Sequence, residues 1–296
     1  MEPSCDTRHV DISIVGAGRA GTALAVLWRA AGHRIVAVSG RDATAERAAR
    51  YLPGVPVLDA PEAARDSEIV VVAVPDDLIA STVRGLTGAG AIRDGQWVAH
   101  LSGATPMSAL DAARHSGARR LGLHPFQTFP DVDSALERVP GCAVAIGADD
   151  EDSSLVGDRL AEDIGGRPFR LADEDRALYH AAAVFASNYL IATTWVAGEL
   201  LALAGLPDPE AALAPLQQAT IANVAGAGPG LALTGPAARG DAGTIERNLH
   251  ALARSAPWAV GAYVEMAKVA LDLAVRSGRL TPAERGGVDE VLARWT

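Results

Sequence analysis

Short apolar runs alternate with amphipathic stretches through the first half of the chain. VDISIV (10–15), RIVAVS (34–39), EIVVVAVP (68–75), WVAHLSG (97–103), ARRLGL (118–123), CAVAIG (142–147) and RPFRL (167–171) read as strands. After Glu68, EIVVVAVP is apolar and rich in β-branched residues, the pattern of a strand covered on both faces. Between the strands, GTALAVLWRAAG (21–32), TAERAARYL (44–52) and SLVGDRLAEDIG (154–165) carry helical periodicity. Strand and helix in repeated alternation predict an α/β domain with a doubly wound parallel sheet.

After residue 171 the strand signal stops. Helical runs cover 174–204, 209–225, 244–252, 257–278 and 281–295, so an all-α C-terminal domain is expected. The boundary is placed near Asp173, giving domains of 1–172 and 173–296. AGAGPGLALTGPAARGD (225–241) joins two helices and is too long for an idle turn.

The glycines after the first strand bring in chemistry. Gly16-Ala17-Gly18-Arg19-Ala20-Gly21 forms a GxGxxG that follows a strand and opens a helix. That context marks a dinucleotide site: Gly16 for the turn, Gly18 for close approach of a pyrophosphate, Gly21 for helix–sheet packing, and the helix N-terminus for the phosphate charge. The second strand ends in Ser39, Gly40 and Arg41, where an NAD site would place a carboxylate. Serine and arginine suit a 2′-phosphate, so NADP(H) is the expected cofactor, with Arg19 a further aid and Asp42 the residue that argues against it. Val74 and Pro75, after the EIVVVAVP strand, are expected to touch the cofactor.

Ligands in open parallel sheets bind beyond the carboxyl ends of the strands. Ser102 and His124 fall just past two such ends, while His100 reads as a packed core histidine. His124 is either a reacting group or strand-end packing. On the first long C-terminal helix, His180, Val184, Ser187 and Asn188 share one face at 3.6 residues per turn. They serve either a ligand or hydrogen bonding between helices. In 225–241, Thr234 and Arg239 can meet a substrate, Arg239 gripping a carboxylate or pairing with Asp241; Asn223 precedes them.

Composition narrows the classes. The 296 residues are 49% hydrophobic and carry a net charge of −10, with no basic block, so nucleic acid is not an expected partner. Cys5 and Cys142 make neither a disulfide framework nor a metal-ligand spacing, and no metal is expected. The N-terminus lacks an apolar signal region, and the apolar stretch 184–206 is broken by Asn188, Thr193, Thr194 and Glu199. A cytoplasmic setting without a membrane follows. The helix expected over 174–204 is apolar around most of its circumference, which points to a homodimer.

VGAGRAG, AVPDD, HLSG, LHPFQTF, HAAAVFASNY and LTGPAARGD together resemble two-domain NADP-dependent oxidoreductases. In these a Rossmann domain is joined to a helical domain of the 6-phosphogluconate dehydrogenase type. Relatives include pyrroline-5-carboxylate reductase, ketopantoate reductase, prephenate dehydrogenase and deazaflavin-dependent NADP reductases. The nearest likeness is to a subfamily whose helical domain is still called a domain of unknown function. The resemblance implies hydride transfer to or from a carbonyl or imine carbon of a small, carboxylate-bearing molecule. Some relatives use a lysine proton donor on the first interdomain helix, but this chain's single lysine is Lys268. A histidine is the natural substitute, His124 first and His180 second, with Ser187 and Asn188 orienting substrate and nicotinamide. A non-catalytic NADP-binding sensor and a deazaflavin-linked reductase are the alternatives.

Overall fold

The computed structural model describes residues 9–41 and 43–295; Cys5 and Asp42 lie outside the described residues. The chain divides into two compact units, Met1–Ser187 and Asn188–Thr296. The strands end at Arg170, close to the expected change in pattern, and the sheet-bearing unit continues through the helix that follows.

Seven strands form one sheet in the order β2-β1-β3-β4-β5-β6-β7. They are β1 (Asp11–Val15), β2 (Arg34–Ser39), β3 (Ile69–Val72), β4 (Trp97–His100), β5 (Arg119–Pro125), β6 (Ala143–Ala148) and β7 (Arg167–Arg170). β3 is buried along its whole length, as its apolar sequence requires. The flanking helices are α1 (Arg19–Ala30), α2 (Thr44–Tyr51), α3 (Ala60–Arg65), α4 (Asp76–Gly88), α5 (Asp111–Arg114), α6 (Val132–Arg138) and α7 (Glu151–Asp163). Trp28 of α1 is fully buried and donates its indole N–H to the Leu160 carbonyl of α7, closing one face of the sheet.

The sheet is not parallel throughout: β6 pairs antiparallel with β5, and β7 runs with β6. This pairing lengthens β5, because His124 lies opposite Ala145 and Pro125 opposite Val144. His124 thus sits inside the strand rather than past its end.

The first unit ends in α8 (Arg176–Ala183) and enters a π-helical turn, Val184–Asn188. The second unit contains α9 (Tyr189–Leu203), α10 (Pro209–Ala227), α11 (Pro229–Ala232), α12 (Ala242–Ser255), α13 (Val260–Arg276) and α14 (Pro282–Ala293). Its core is formed by α12, α13 and α14 around Ile245, Leu249, Val264, Leu271, Val288 and Leu292. Helix α9 buries none of its residues, and Ile191, Trp195 and Leu203 are each more than half exposed. By length and composition the helical run Asp173–Leu203 could cross a membrane, yet it carries Arg176, His180, Asn188 and Glu199.

Candidate functional site

The glycine loop folds as its spacing predicts. Gly16 has φ +99°, a left-handed conformation that favours glycine, and its amide and that of Ala17 donate to the Ser39 carbonyl at 2.9 and 2.7 Å. A Cβ at Gly16 would lie 2.7 Å from the Ala73 carbonyl oxygen, and one at Gly21 would lie 2.8 Å from the Gly16 oxygen. Gly18 differs: its Cβ would meet nothing nearer than 3.9 Å. Protein packing does not demand glycine there, but a ligand held against the backbone would. Among the described residues no side chain caps the N-terminus of α1, and its first turn holds no carboxylate. These amides are free to meet an anion.

A cleft of about 490 Å³ opens here, lined by Gly16, Gly18, Ser39, Arg41, Val74 and Pro75 among others. The residues present fit a dinucleotide phosphate. Arg47 of α2 is an addition that the sequence reading did not contain. It lines the cleft and donates to the Ala17 carbonyl at 2.8 Å, bracing the glycine loop from the Arg41 side. Its signal was the helical repeat of 44–52, which points Arg47 back to the strand ends. Arg19 turns elsewhere, donating to the Pro130 carbonyl at 2.9 Å. Ala20 is the second residue of α1, half-buried in the turn.

Ser102 was expected at the cofactor, but its hydroxyl is fully used within the protein. It donates to Asp76 at 2.7 Å and accepts from the amides of Ala104 and Thr105 at 3.2 and 2.9 Å. One donor and two lone pairs are all a serine has. Its role is to tie the loop after β4 to the start of α4.

His124 stands two strands from β3 at the same carboxyl edge, about 10 Å away by strand spacing. Helix α8 closes over it by laying two residues, three apart, on two successive rows of the sheet. One row is His100, Gly122 and Gly147, paired across β4, β5 and β6. Arg176, 2% exposed, lies in the slot left by the two glycines, where a Cβ would come within 2.5 and 2.3 Å of its Nη2. Its Nε donates to Asp173 at 2.6 Å. The next row is His124, Ala145 and Phe169. Tyr179 sits on it, with its ring 5.4 Å from His124, 5.9 Å from Phe169 and 5.2 Å from Phe126.

The Tyr179 hydroxyl and His124 Nδ1 are 2.7 Å apart. On another side of the imidazole is Gly103, whose Cβ would be 2.9 Å from Cε1 and 3.0 Å from both ring nitrogens. Burial pushes the His124 pKa down to about 4; the charges of His180 and Arg176 add to this and Asp76 opposes it. Burial likewise raises that of Tyr179. At neutral pH the pair is uncharged. His100 is buried deeper, with Nδ1 accepting from the Ser102 amide at 3.2 Å and Nε2 without a partner among the described residues; burial first, then Arg176, takes its pKa to about 3.

Two family models match: a Rossmann-like domain over residues 3–125 and a domain of unknown function, DUF2520, over residues 142–270. The chain joins a Rossmann-like domain to a DUF2520 domain. His124 falls in the first matched segment, and Arg176 and Tyr179 in the second. Among solved structures the chain is similar to a candidate NADP oxidoreductase from Bacteroides fragilis, at 25% identity and a TM-score of 0.73, covering 90% of this chain and 99% of that one. A Thermotoga maritima protein matches at 24% identity and TM-score 0.69, covering 91% and 100%. NADP-bound pyrroline carboxylate reductase from Plasmodium falciparum shares the fold at 12% identity and TM-score 0.59, covering 94% and 98%. No curated protein matches the sequence.

The remaining predicted residues of the Rossmann–DUF2520 chain are placed as follows. His180 is exposed, next to Tyr179. Ser187 is half-buried and Asn188 exposed, and both lie in the π-helical turn. That turn breaks the 3.6-residue repeat on which His180, Val184, Ser187 and Asn188 would share one face. In the second unit Asn223 is exposed, one turn inside α10 rather than at its end. Thr234 is exposed, and Arg239 is exposed in a 3-10 turn, where its charge helps lower the pKa of Asp241. Asp241 caps α12, accepting from the Thr244 amide and hydroxyl at 3.0 and 2.7 Å.

Proposed function

We propose that this protein is an NADP(H)-dependent oxidoreductase that moves a hydride to or from a carbonyl or imine carbon of a small, carboxylate-bearing metabolite. The observation that carries this reading is the pairing of two features along one sheet edge. An open cradle lies at Gly18 with free helix amides and two arginines, and three strands along the sheet, about 14 Å by strand spacing, is an imidazole clamped by Gly103 and Tyr179. When bound, the dinucleotide supplies or accepts the hydride. Ser39, Arg41 and Arg47 hold the 2′-phosphate end. His124 acts in its neutral form. Its Nε2–H hydrogen-bonds the carbonyl oxygen or imine nitrogen where negative charge grows, a stabilisation that needs no imidazolium, and water supplies the proton that completes the alcohol or amine. His180 is the second candidate for that contact. Ser187 orients substrate and nicotinamide.

The active form is a homodimer in the cytoplasm. Exposed Ile191, Trp195 and Leu203 on α9, with Leu216 and Ile221 on α10, exceed what a monomer leaves in water. A second copy covers them better than lipid does, because Asn188 and Glu199 would be costly in hydrocarbon. Sedimentation showing a monomer at every concentration would remove this part.

Thermal melts test the cofactor. At a hundred times its Kd a ligand adds about 2.7 kcal/mol, so NADPH should raise the melting temperature well above the effect of equimolar NADH. Activity is tested by NADPH oxidation over a panel of small 2-keto acids and cyclic imino acids. His124→Gln should abolish the turnover found and leave NADPH affinity unchanged; undiminished turnover would refute the assignment.

A further inference from the structure

We infer that Tyr179 is a positioning residue that fixes the tautomer and the plane of the His124 ring, so that Nε2–H is the atom offered to the reacting group. This rests on the reading of His124 as the donor at the reacting atom.

Three observations carry it. The first is the contact itself. The Tyr179 hydroxyl lies 2.7 Å from Nδ1, and among the described residues Nδ1 is the acceptor offered to that hydroxyl proton. A half-buried hydroxyl keeps its hydrogen bond, since leaving it unmade costs more than making it gains. Tyr179 therefore donates and Nδ1 accepts. A neutral imidazole has one N–H, so the hydrogen must be on Nε2. The depressed histidine and raised tyrosine pKa agree, because both groups stay uncharged at neutral pH.

The second is the clamp on the tyrosine. Its ring is bounded by Phe126, Phe169 and His124, the last at an interplanar angle of 89°. Such edge-to-face packing resists rotation about the ring's long axis. Gly103 bounds the imidazole from another direction, leaving no room for a methyl group. The third is the anchoring of α8. Arg176, one helical turn earlier, is locked into the Gly122–Gly147 slot and held by Asp173. That lock sets the height at which Tyr179 meets the next row of the sheet. Small residues at Gly122, Ala145 and Gly147 let the helix approach. Preorganisation of this kind is what a reacting group requires.

The test is nitrogen-resolved NMR of uniformly ¹⁵N-labelled protein, with the His124 ring assigned through His124→Gln. In the native protein at pH 7, His124 should appear as the pure Nε2–H tautomer. In Tyr179→Phe, which keeps the ring and loses the hydroxyl, its two nitrogen shifts should move toward each other as the tautomers mix. The same variant should lower kcat by about tenfold to a hundredfold, with NADPH affinity within twofold. A native His124 carrying its hydrogen on Nδ1, or ring shifts unmoved in Tyr179→Phe, overturns the proposal. The NMR result does not depend on turnover. An absence of turnover with every keto and imino acid would sink the oxidoreductase reading while the tautomer result stood.

Discussion

Gly103→Ala is the sharpest probe of whether the imidazole is held or merely present. The added methyl carbon would sit 2.9 Å from Cε1 and 3.0 Å from Nδ1 and Nε2 of His124. Ordinary carbon contacts begin near 3.5 Å, so the ring must retreat by about 0.5 Å. The Tyr179 ring is 5.4 Å away edge-on, and its hydroxyl is already at 2.7 Å from Nδ1. Retreat therefore costs either the hydrogen bond, about 0.5–1.5 kcal/mol, or overpacking strain of about 1–3 kcal/mol. Both lie within reach of urea unfolding followed by tryptophan fluorescence. The functional cost should be larger, since displacement of about 1 Å at a reacting group loses about a hundredfold in rate. Gly103→Ala should thus unfold at lower urea, bind NADPH normally and turn over at least tenfold more slowly. Native stability together with native kcat would show that the imidazole has slack, and the preorganised-donor argument would fail.

Three other outcomes follow from the same geometry. His100 and His124 are held neutral, with pKa values near 3 and 4, whereas the unfolded chain protonates its histidines near 6.5. Their contribution is fully present above pH 6.5 and is lost as pH falls through 6.5 toward 4, with a slope of at most about 1.4 kcal/mol per pH unit for each ring. Urea midpoints at pH 7, 6 and 5 should decline, and a level profile would contradict the burial. Asp131, Asp150 and Asp241, lowered by hydrogen bonds from Ser134, Ser153 and Thr244, work in the same direction at lower pH: their contribution disappears only as pH falls below about 4. Arg41→Ala should weaken NADPH about tenfold, from the loss of a hydrogen bond to a charged group, and leave NADH binding nearly unchanged; parallel losses for both cofactors by titration calorimetry would refute the 2′-phosphate role. Thr281→Ala removes the capping box of α14, in which Thr281 and Glu284 exchange hydrogen bonds, and should cost about 1 kcal/mol with activity retained.

Local signals on the chain carried much of this architecture. A strand, GxGxxG and a helix within one unit predict the cradle, because the glycine turn, the phosphate space and the helix N-terminus are all short-range consequences of those residues. The seven strands and the helical second half are likewise read from periodicity, which is a local property. The sequence also singled out His124, but its setting was not legible there. The antiparallel pairing of β6 is a tertiary contact that no local pattern specifies, and it draws His124 into the ladder opposite Ala145. The saturation of Ser102 depends on Asp76, 26 positions away. Tyr179, 55 positions from His124, could not be chosen over His180 by pattern, since a one-residue rotation of α8 decides which of the two faces the sheet. That rotation is set by Arg176 finding the gap at Gly122 and Gly147. Periodicity and the glycine spacing therefore determined which elements form and where the open glycine loop lies. The identity of the group that faces the imidazole was decided only by packing between elements distant in sequence, where the deciding quantity is the space left by missing side chains.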